Sequence, residues 1–328
     1  MEANHVENAG NAENVSSVPS VPVVEAGNKT KKPMGMGASL KRTENILGWV
    51  YISPMVIGLL VFTAIPIIMS IMAMFYQWDK SLLLFESKFV GFDNIKSIFG
   101  GLDSATYWKA FGNTWKFALQ LPLGMIIGLF LALAMNRDMK GVQAFRVIYY
   151  IPGVMSVVAV TIVWQNMFNL DGYINALLGS NMDWLKDDFG ITFVVNLLLI
   201  WKGVGYTTLM FIAGLQSVST DQIEAAKIDG ANSWTILIKI TLPALYPIIF
   251  YLFVTGLMGA MQIFNEPFIL AKYGIDNNAM TTVSFVNYYF NQPGGLGLAS
   301  VGAWVLAIII FILTAIQMLV DKKMRGDY

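Results

Sequence analysis

The chain is 328 residues long, 56% hydrophobic and 13% charged, with a mean hydropathy of +0.59 and a formal net charge of zero. A soluble domain carries roughly twice that charged fraction, and a neutral chain offers no basic face to nucleic acid. With no Cys and a single His, His5, the composition excludes disulfides, thiolate metal sites, cysteine nucleophiles and histidine chemistry within a membrane.

Residues 1–45 are rich in Asn, Val, Glu, Ser, Pro and Gly and have no apolar period, so they read as a disordered tail. No apolar core follows a basic start, so no signal peptide is expected. Six apolar runs follow, and a bilayer crossing needs ~20 such residues. They cover residues 46–78, 115–134, 147–168, 191–215, 242–270 and 298–320. The expected architecture is an all-α polytopic membrane protein, with a six-helix domain over 46–320 and a short tail at 321–328.

Charge bias sets the orientation. Lys29, Lys31, Lys32, Lys41 and Arg42 precede the first run. Alternate connections on that side hold nearly twice as many Lys and Arg as those on the other, which predicts both termini inside the cytoplasm. The connection at 217–241 is then cytoplasmic. Of the outer segments, 79–111 is amphipathic and aromatic and reads as a short interfacial helix on the outer leaflet. The outer loop at 170–190 carries Asp171, Asp183, Asp187 and Asp188 and reads as a solvated cap.

The cytoplasmic connection has more punctuation than a loop needs. Ser219 to Gln222 has capping-box spacing. Asp221 and Glu224 place negative charge in the first turn, where the helix dipole favours it. Ala225 and Ala226 are strong helix formers with a smooth face. Asp229 and Gly230 break the helix, and Gly230 can take the left-handed conformation of a sharp turn. A second helix is expected from Asn232 or Ser233, kinked by Pro243 and Pro247. A short helix clamped at both ends suits mechanical coupling to another protein; it also suits an ordinary capped loop.

Polar and small residues inside apolar runs point to a solute path. Leu199, Lys202, Gly203 and Tyr206 share one helical face. Gly256, Gly259, Ala260 and Ile263 form a mostly small stripe in the fifth run. Small residues opposite a Tyr/Lys face leave room for a sugar ring, and they equally suit close helix packing. Tyr206 is either a stacking platform or a packed residue. Lys202 either faces the path, snorkels or pairs with a partner subunit. Trp164, Gln165 and Asn166 are weaker candidates. Asn265 and Glu266, near the outer end of the fifth run, gate, bind hydroxyls or meet water. A cation-coupled secondary transporter would need midplane relays, for which Lys202 and Glu266 are the candidates. A membrane enzyme would need clustered His, Asp or Cys.

The stretch from Glu224 to Pro247 resembles the EAA signature of ABC-importer permeases. Glu224, Ala225, Ala226, Asp229, Gly230, Ala231, Leu242, Pro243 and Pro247 match it, and Leu237 stands where an aromatic is usual. Phe89-Val90-Gly91-Phe92-Asp93-Asn94, Asn113-Thr114, the stretch 211–219 and Gln262-Ile263-Phe264-Asn265 resemble the carbohydrate (maltose/glycerol-phosphate-type) branch, first-permease type. Where that branch has a Gly-Gly-Pro cluster, this chain has Lys272-Tyr273-Gly274. The resemblance implies a type I ABC importer permease fold with a cytoplasmic coupling helix between the fourth and fifth spans. It implies that Glu224 anchors that helix in a cleft of a cytoplasmic ATPase, that Gly230 keeps its turn and that Asp229 caps the next helix. It implies that ATP closes an ATPase dimer, two permeases flip from inward- to outward-facing, and an external solute-binding protein delivers the sugar. The partners implied are a second permease, two copies of the ABC ATPase, the solute-binding protein and membrane lipid. In the family the fourth and fifth spans line the sugar site, which places Leu199, Lys202, Gly203, Tyr206, Gly256, Gly259, Ala260 and Asn265 on the substrate pathway. The chain has no phosphate-binding G-x-x-x-x-G-K-[ST] loop, so no cofactor is expected on it; ATP and Mg belong to the partner ATPase. A permease for an amino acid, peptide or phosphate ester is the alternative.

Overall fold

The computed structural model describes residues 36–81, 83–136 and 141–326. Residues 1–35 of the expected tail lie outside the described residues. The described residues fall into two compact units, divided between Val61 and Phe62. In the first, the described part is helix α1 (Met36–Leu59), which already includes residues 36–45 of the expected tail.

The second unit begins with α2 (Ile65–Ala73), a two-stranded antiparallel ribbon of β1 (Tyr76–Gln77) and β2 (Lys88–Phe89), and α3 (Asp93–Gly100). The single interfacial helix expected over 79–111 is therefore replaced by the ribbon and α3. The reason is packing. Ile98 of α3 is fully buried, and the Asn94 amide donates to the carbonyls of Met74 and Tyr76, at 2.9 and 3.0 Å. These contacts hold the segment on protein.

Next come α4 (Ser104–Ala118) and α5 (Gln120–Met135), which form one candidate span, Ser104–Met135. It starts eleven residues before the expected 115, because Tyr107 and Ala110 have a buried face to fill against α14 and α15. The third expected span is broken. α6 (Val142–Val154) and α7 (Val157–Phe168) leave a 98° bend between Phe145–Val154 and Val157–Leu178. Pro152 withdraws a helix donor, and Met155 is extended at ψ 151°.

The loop after α7 is more structured than a solvated cap. It holds α8 (Tyr173–Leu178), and Leu185 is buried in the core. The Asn175 amide donates to Leu170 and Met182 and accepts from Ser180 and Trp184. Asp187 caps α9 (Asp188–Leu215) by accepting from the Gly190 amide at 2.8 Å, and Asp188 pairs with Lys116 at 2.8 Å.

After α10 (Thr220–Ile228) and α11 (Ser233–Ile236) comes α12 (Leu242–Met261). The expected kink at Pro243 takes the form of a π-helical turn over Leu237–Thr241, which widens the helix where a proline ring would meet the preceding turn. Pro247 lies inside α12 without ending it. The fifth span was expected to reach residue 270. It ends at Met261, and α13 (Asn265–Ala271) follows a break. Pro267 accounts for this: in α13 it sits in the first turn, where no donor is needed, whereas a continuous helix would place it in the interior. The Thr281 hydroxyl donates to the freed Ile263 carbonyl at 2.8 Å. Finally, α14 (Thr282–Phe290) packs on α15 (Leu296–Gly326).

Among the described residues, five helical stretches are long and apolar enough to cross a membrane, and the bent α6–α7 pair makes the sixth if it is one span. Asn113 and Thr114 tie the bundle to α14. The Asn113 amide donates to the Asn277 and Met280 carbonyls at 2.8 and 3.0 Å, and the Thr114 hydroxyl accepts from the Thr282 amide at 3.0 Å. At the same end the Tyr289 hydroxyl donates to Asp103; burial and this bond raise its pKa above the usual phenol range.

Candidate functional site

Two places in the fold carry features that packing alone leaves unexplained. The first is the turn after α9. The Ser219 hydroxyl accepts from the Gln222 amide at 3.4 Å, so α10 starts at the expected cap. At its other end Gly230 has φ +79°. Its amide donates to Lys227 and that of Ala231 to Ala226, at 3.1 and 2.9 Å. These two bonds satisfy carbonyls that a helix end would otherwise leave open. Asp229 does not cap the next helix, contrary to the expectation. Asn232 does, accepting from the Thr235 amide at 2.8 Å, because it stands three residues before the donor.

Ile223 packs against the core of α5, α9 and α12. The rest of α10 turns outward: Glu224, Ala225, Asp229 and Gly230 are exposed, and Ala226 and Ala231 are half-buried. Ile228 is 87% exposed and Trp234 62%. A rigid helix with apolar residues left open fits a binding surface. An Ala at Gly230 must hold a left-handed conformation at about 1 kcal/mol. Gly230→Ala is therefore expected to speed amide exchange across 220–231 by roughly fivefold, read by exchange mass spectrometry.

The second place is mid-way along α9. Its early turns, through Leu198, lie in a core shared with α4, α7 and α13; its last turns, from Phe211, lie in another with α5 and α12. Between these cores is a cavity of 600 Å³. Leu199, Lys202, Gly203 and Tyr206 line it from α9, and Gly256, Gly259 and Ala260 line it from α12. Asn265 and Glu266 enter from α13, so the eight residues that the resemblance places on the substrate pathway meet around one space, with Glu266 beside them.

The glycines there differ in what they do. A Cβ at Gly256 would run into the Leu121 side chain, so this glycine serves packing against α5. A Cβ at Gly203 or Gly259 would meet nothing within 4 Å, so both open onto the cavity. Gly205, on the opposite side of α9, has Tyr149 and Tyr150 backbone within 3 Å of where its Cβ would be. That close approach brings α6 against α9 and delivers Tyr150 and Gly153 to the wall. Tyr150 and Tyr206 thus share the wall, one from α6 and one from α9.

Lys202 and Glu266 form an ion pair, Nζ to Oε1 3.0 Å, with side chains 16% and 12% exposed. Lys202 thus pairs within this chain rather than snorkelling. The helix break at residues 262–264 makes this possible, since it swings Glu266 toward α9. Gln165 serves elsewhere: its amide donates to the Ile269 and Leu270 carbonyls at 2.7 and 3.0 Å and anchors α13 on α7. Trp164 stacks on Phe168 in the core. The sequence reading missed Gln120, Tyr150 and Gly153 in the wall. The Pro152-Gly153 interruption of an apolar run was the available signal for the last two.

Residues 124–326 match the family of binding-protein-dependent transport system inner membrane components. This chain belongs to that family. The permease is 34% identical over 285 residues to the probable ABC transporter permease protein YesP of Bacillus subtilis, covering 84% of this chain and 90% of the relative. It is 27% identical over 300 residues to the lactose transport system permease protein LacF of Rhizobium radiobacter, covering 88% and 98%. To the multiple sugar-binding transport system permease protein MsmF of Streptococcus mutans it is 29% identical over 282 residues, covering 84% and 95%. A crystal structure of a bacterial ABC transporter involved in import of the acidic polysaccharide alginate superposes with a TM-score of 0.75 at 22% identity, covering 88% of the permease and 98% of that chain. The permease therefore has the type I importer fold.

Proposed function

We propose that the permease forms half of the route by which a sugar or oligosaccharide crosses a prokaryotic cytoplasmic membrane. A second permease completes the route, an external solute-binding protein delivers the sugar, and two copies of a cytoplasmic ATPase drive the cycle with ATP and Mg. In this reading 46–320 is the membrane domain, both termini are cytoplasmic, and residues 217–241 face the ATPase. Glu224, Ala225, Ala226, Asp229, Gly230 and Ala231 form the docked element. Leu199, Lys202, Gly203, Tyr206, Gly256, Gly259, Ala260 and Asn265 face the sugar.

The observation that carries this reading is α10: capped at both ends, seated by Ile223, and with Glu224 and Ala225 of the signature exposed on it. A helix held this way transmits a displacement to α9 and α12 instead of absorbing it. The sugar assignment draws on relatives named for lactose and multiple-sugar transport and on the tyrosines and amides of the cavity, which suit stacking and hydroxyl recognition. Delivery by a solute-binding protein draws support from the alginate importer crystallised with its oligosaccharide-bound periplasmic protein.

Purification from native membranes in mild detergent, with mass spectrometry of every co-purifying chain, tests the assembly. A second EAA-bearing permease and a Walker-type ATPase are the expected partners. Recovery of this chain alone, in a preparation that still transports, would sink the reading.

A further inference from the structure

The cavity wall has two charged side chains, and they neutralise each other. Lys202 on α9 and Glu266 on α13 lie 3.0 Å apart and are mostly buried. The rest of the wall is amide, tyrosine, glycine and apolar side chain. A ligand carboxylate could take Lys202 only by displacing Glu266, and the displaced carboxylate would be left buried without a counter-ion. Until then the two anions would repel each other at short range across a poorly solvated wall. A sugar hydroxyl meets neither obstacle. The Lys202 ammonium has three N–H donors, and a carboxylate has accepting capacity on both oxygens. A hydroxyl can therefore accept from the one and donate to the other while the pair stays closed.

We propose that Glu266 is a specificity-determining residue that neutralises Lys202 and restricts the cavity to uncharged saccharides, turning away those that carry uronic acids. The proposal rests on the sugar reading above and goes further, because it names the charge class of the sugar and the side chain that enforces it. Discrimination here comes from a repulsive element set against the wrong ligand. Glu266→Gln keeps the side-chain size and an acceptor for Lys202 but leaves the wall with a net positive charge. Lys202→Gln leaves the carboxylate and gives the wall a net negative charge.

The test uses the importer complex purified in detergent with its partner subunits but without the solute-binding protein, so that only the cavity selects. Native mass spectrometry reads binding of neutral di- to tetrasaccharides of glucose, galactose and xylose, each beside its uronic acid counterpart at the same concentration. The wild-type complex is expected to bind members of the neutral set about tenfold or more in excess over their uronic partners, and Glu266→Gln to reduce that ratio by about tenfold. Lys202→Gln is expected to keep or increase the exclusion, which tests the proposal even if Glu266→Gln fails to assemble. A wild-type preference for uronic acids, an unchanged ratio in Glu266→Gln, or admission of uronic acids by Lys202→Gln would each overturn the proposal while leaving the sugar reading intact. Binding of neither set, with an amino acid or peptide bound instead, would overturn the sugar reading and the proposal with it.

Discussion

In the assembled importer, Glu224→Lys is expected to lower sugar uptake to less than about a tenth of the wild-type rate, because in the docking proposed above it reverses the charge that α10 presents to the ATPase, and losing one partner of a buried, hydrogen-bonded charge pair costs about 2–5 kcal/mol. The chain itself should insert and fold as before. Glu224 is exposed, and an exposed substitution away from a cap or a core contact usually stays within about 0.5 kcal/mol. The ends of α10 are held by Ser219 and Gly230, neither of which the substitution touches. Two measurements separate the outcomes. Co-purification reads whether the ATPase is released, and ATP hydrolysis beside uptake in liposomes reads whether it stays bound but works without moving sugar. Normal uptake by Glu224→Lys would mean that α10 docks nothing through this residue.

Much of α10 was legible because its determinants are local. A cap such as Ser219 and a left-handed glycine such as Gly230 act on amides within a few residues, so a single sequence window contains both cause and effect. Asp229 was misassigned over a similarly short range: the cap of α11 falls to Asn232, since only that side chain stands three residues ahead of the Thr235 amide. The cavity was partly legible. The stripes on α9 and α12 follow from helical spacing, and they converge as read. Spacing does not tell which small residues face space and which face a neighbour, so Gly256 and Gly259 look alike in sequence and differ in the fold. The Lys202–Glu266 pair was not legible, because the two residues are 64 apart and meet only through the break before α13. Pro267 was the clue to that break, but six apolar runs counted by hydropathy give no weight to one proline near the end of a run. The β1–β2 ribbon, two residues per strand, is too short to leave an alternating pattern.

A second large effect is expected from Gly259→Leu. Nothing lies within 4 Å of a Cβ at this position, which lines the 600 Å³ cavity, so the new side chain starts into that space. Leu is also a better helix former than Gly by roughly 0.5–1 kcal/mol, so a weakened α12 cannot be the cause of any loss. Uptake is expected to fall by about tenfold or more, in line with a poorly placed or excluded ligand, while assembly with the ATPase and the melting temperature in detergent stay at wild-type levels. Gly205→Leu supplies the contrast. A Cβ there would stand 2.7 Å from the Tyr149 carbonyl oxygen and 2.9 Å from the Tyr150 Cα, so α6 and α9 must part, and the complex should lose stability before it loses selectivity. If Gly259→Leu transports normally, the solute does not pass this side of α12, and the stripe of small residues is there for helix packing. If both variants fail to assemble, the cavity is a packing element on which the bundle depends. Loss of uptake in Gly259→Leu alone, from an importer otherwise intact, is the result that places the sugar between Tyr206 and the open face of α12.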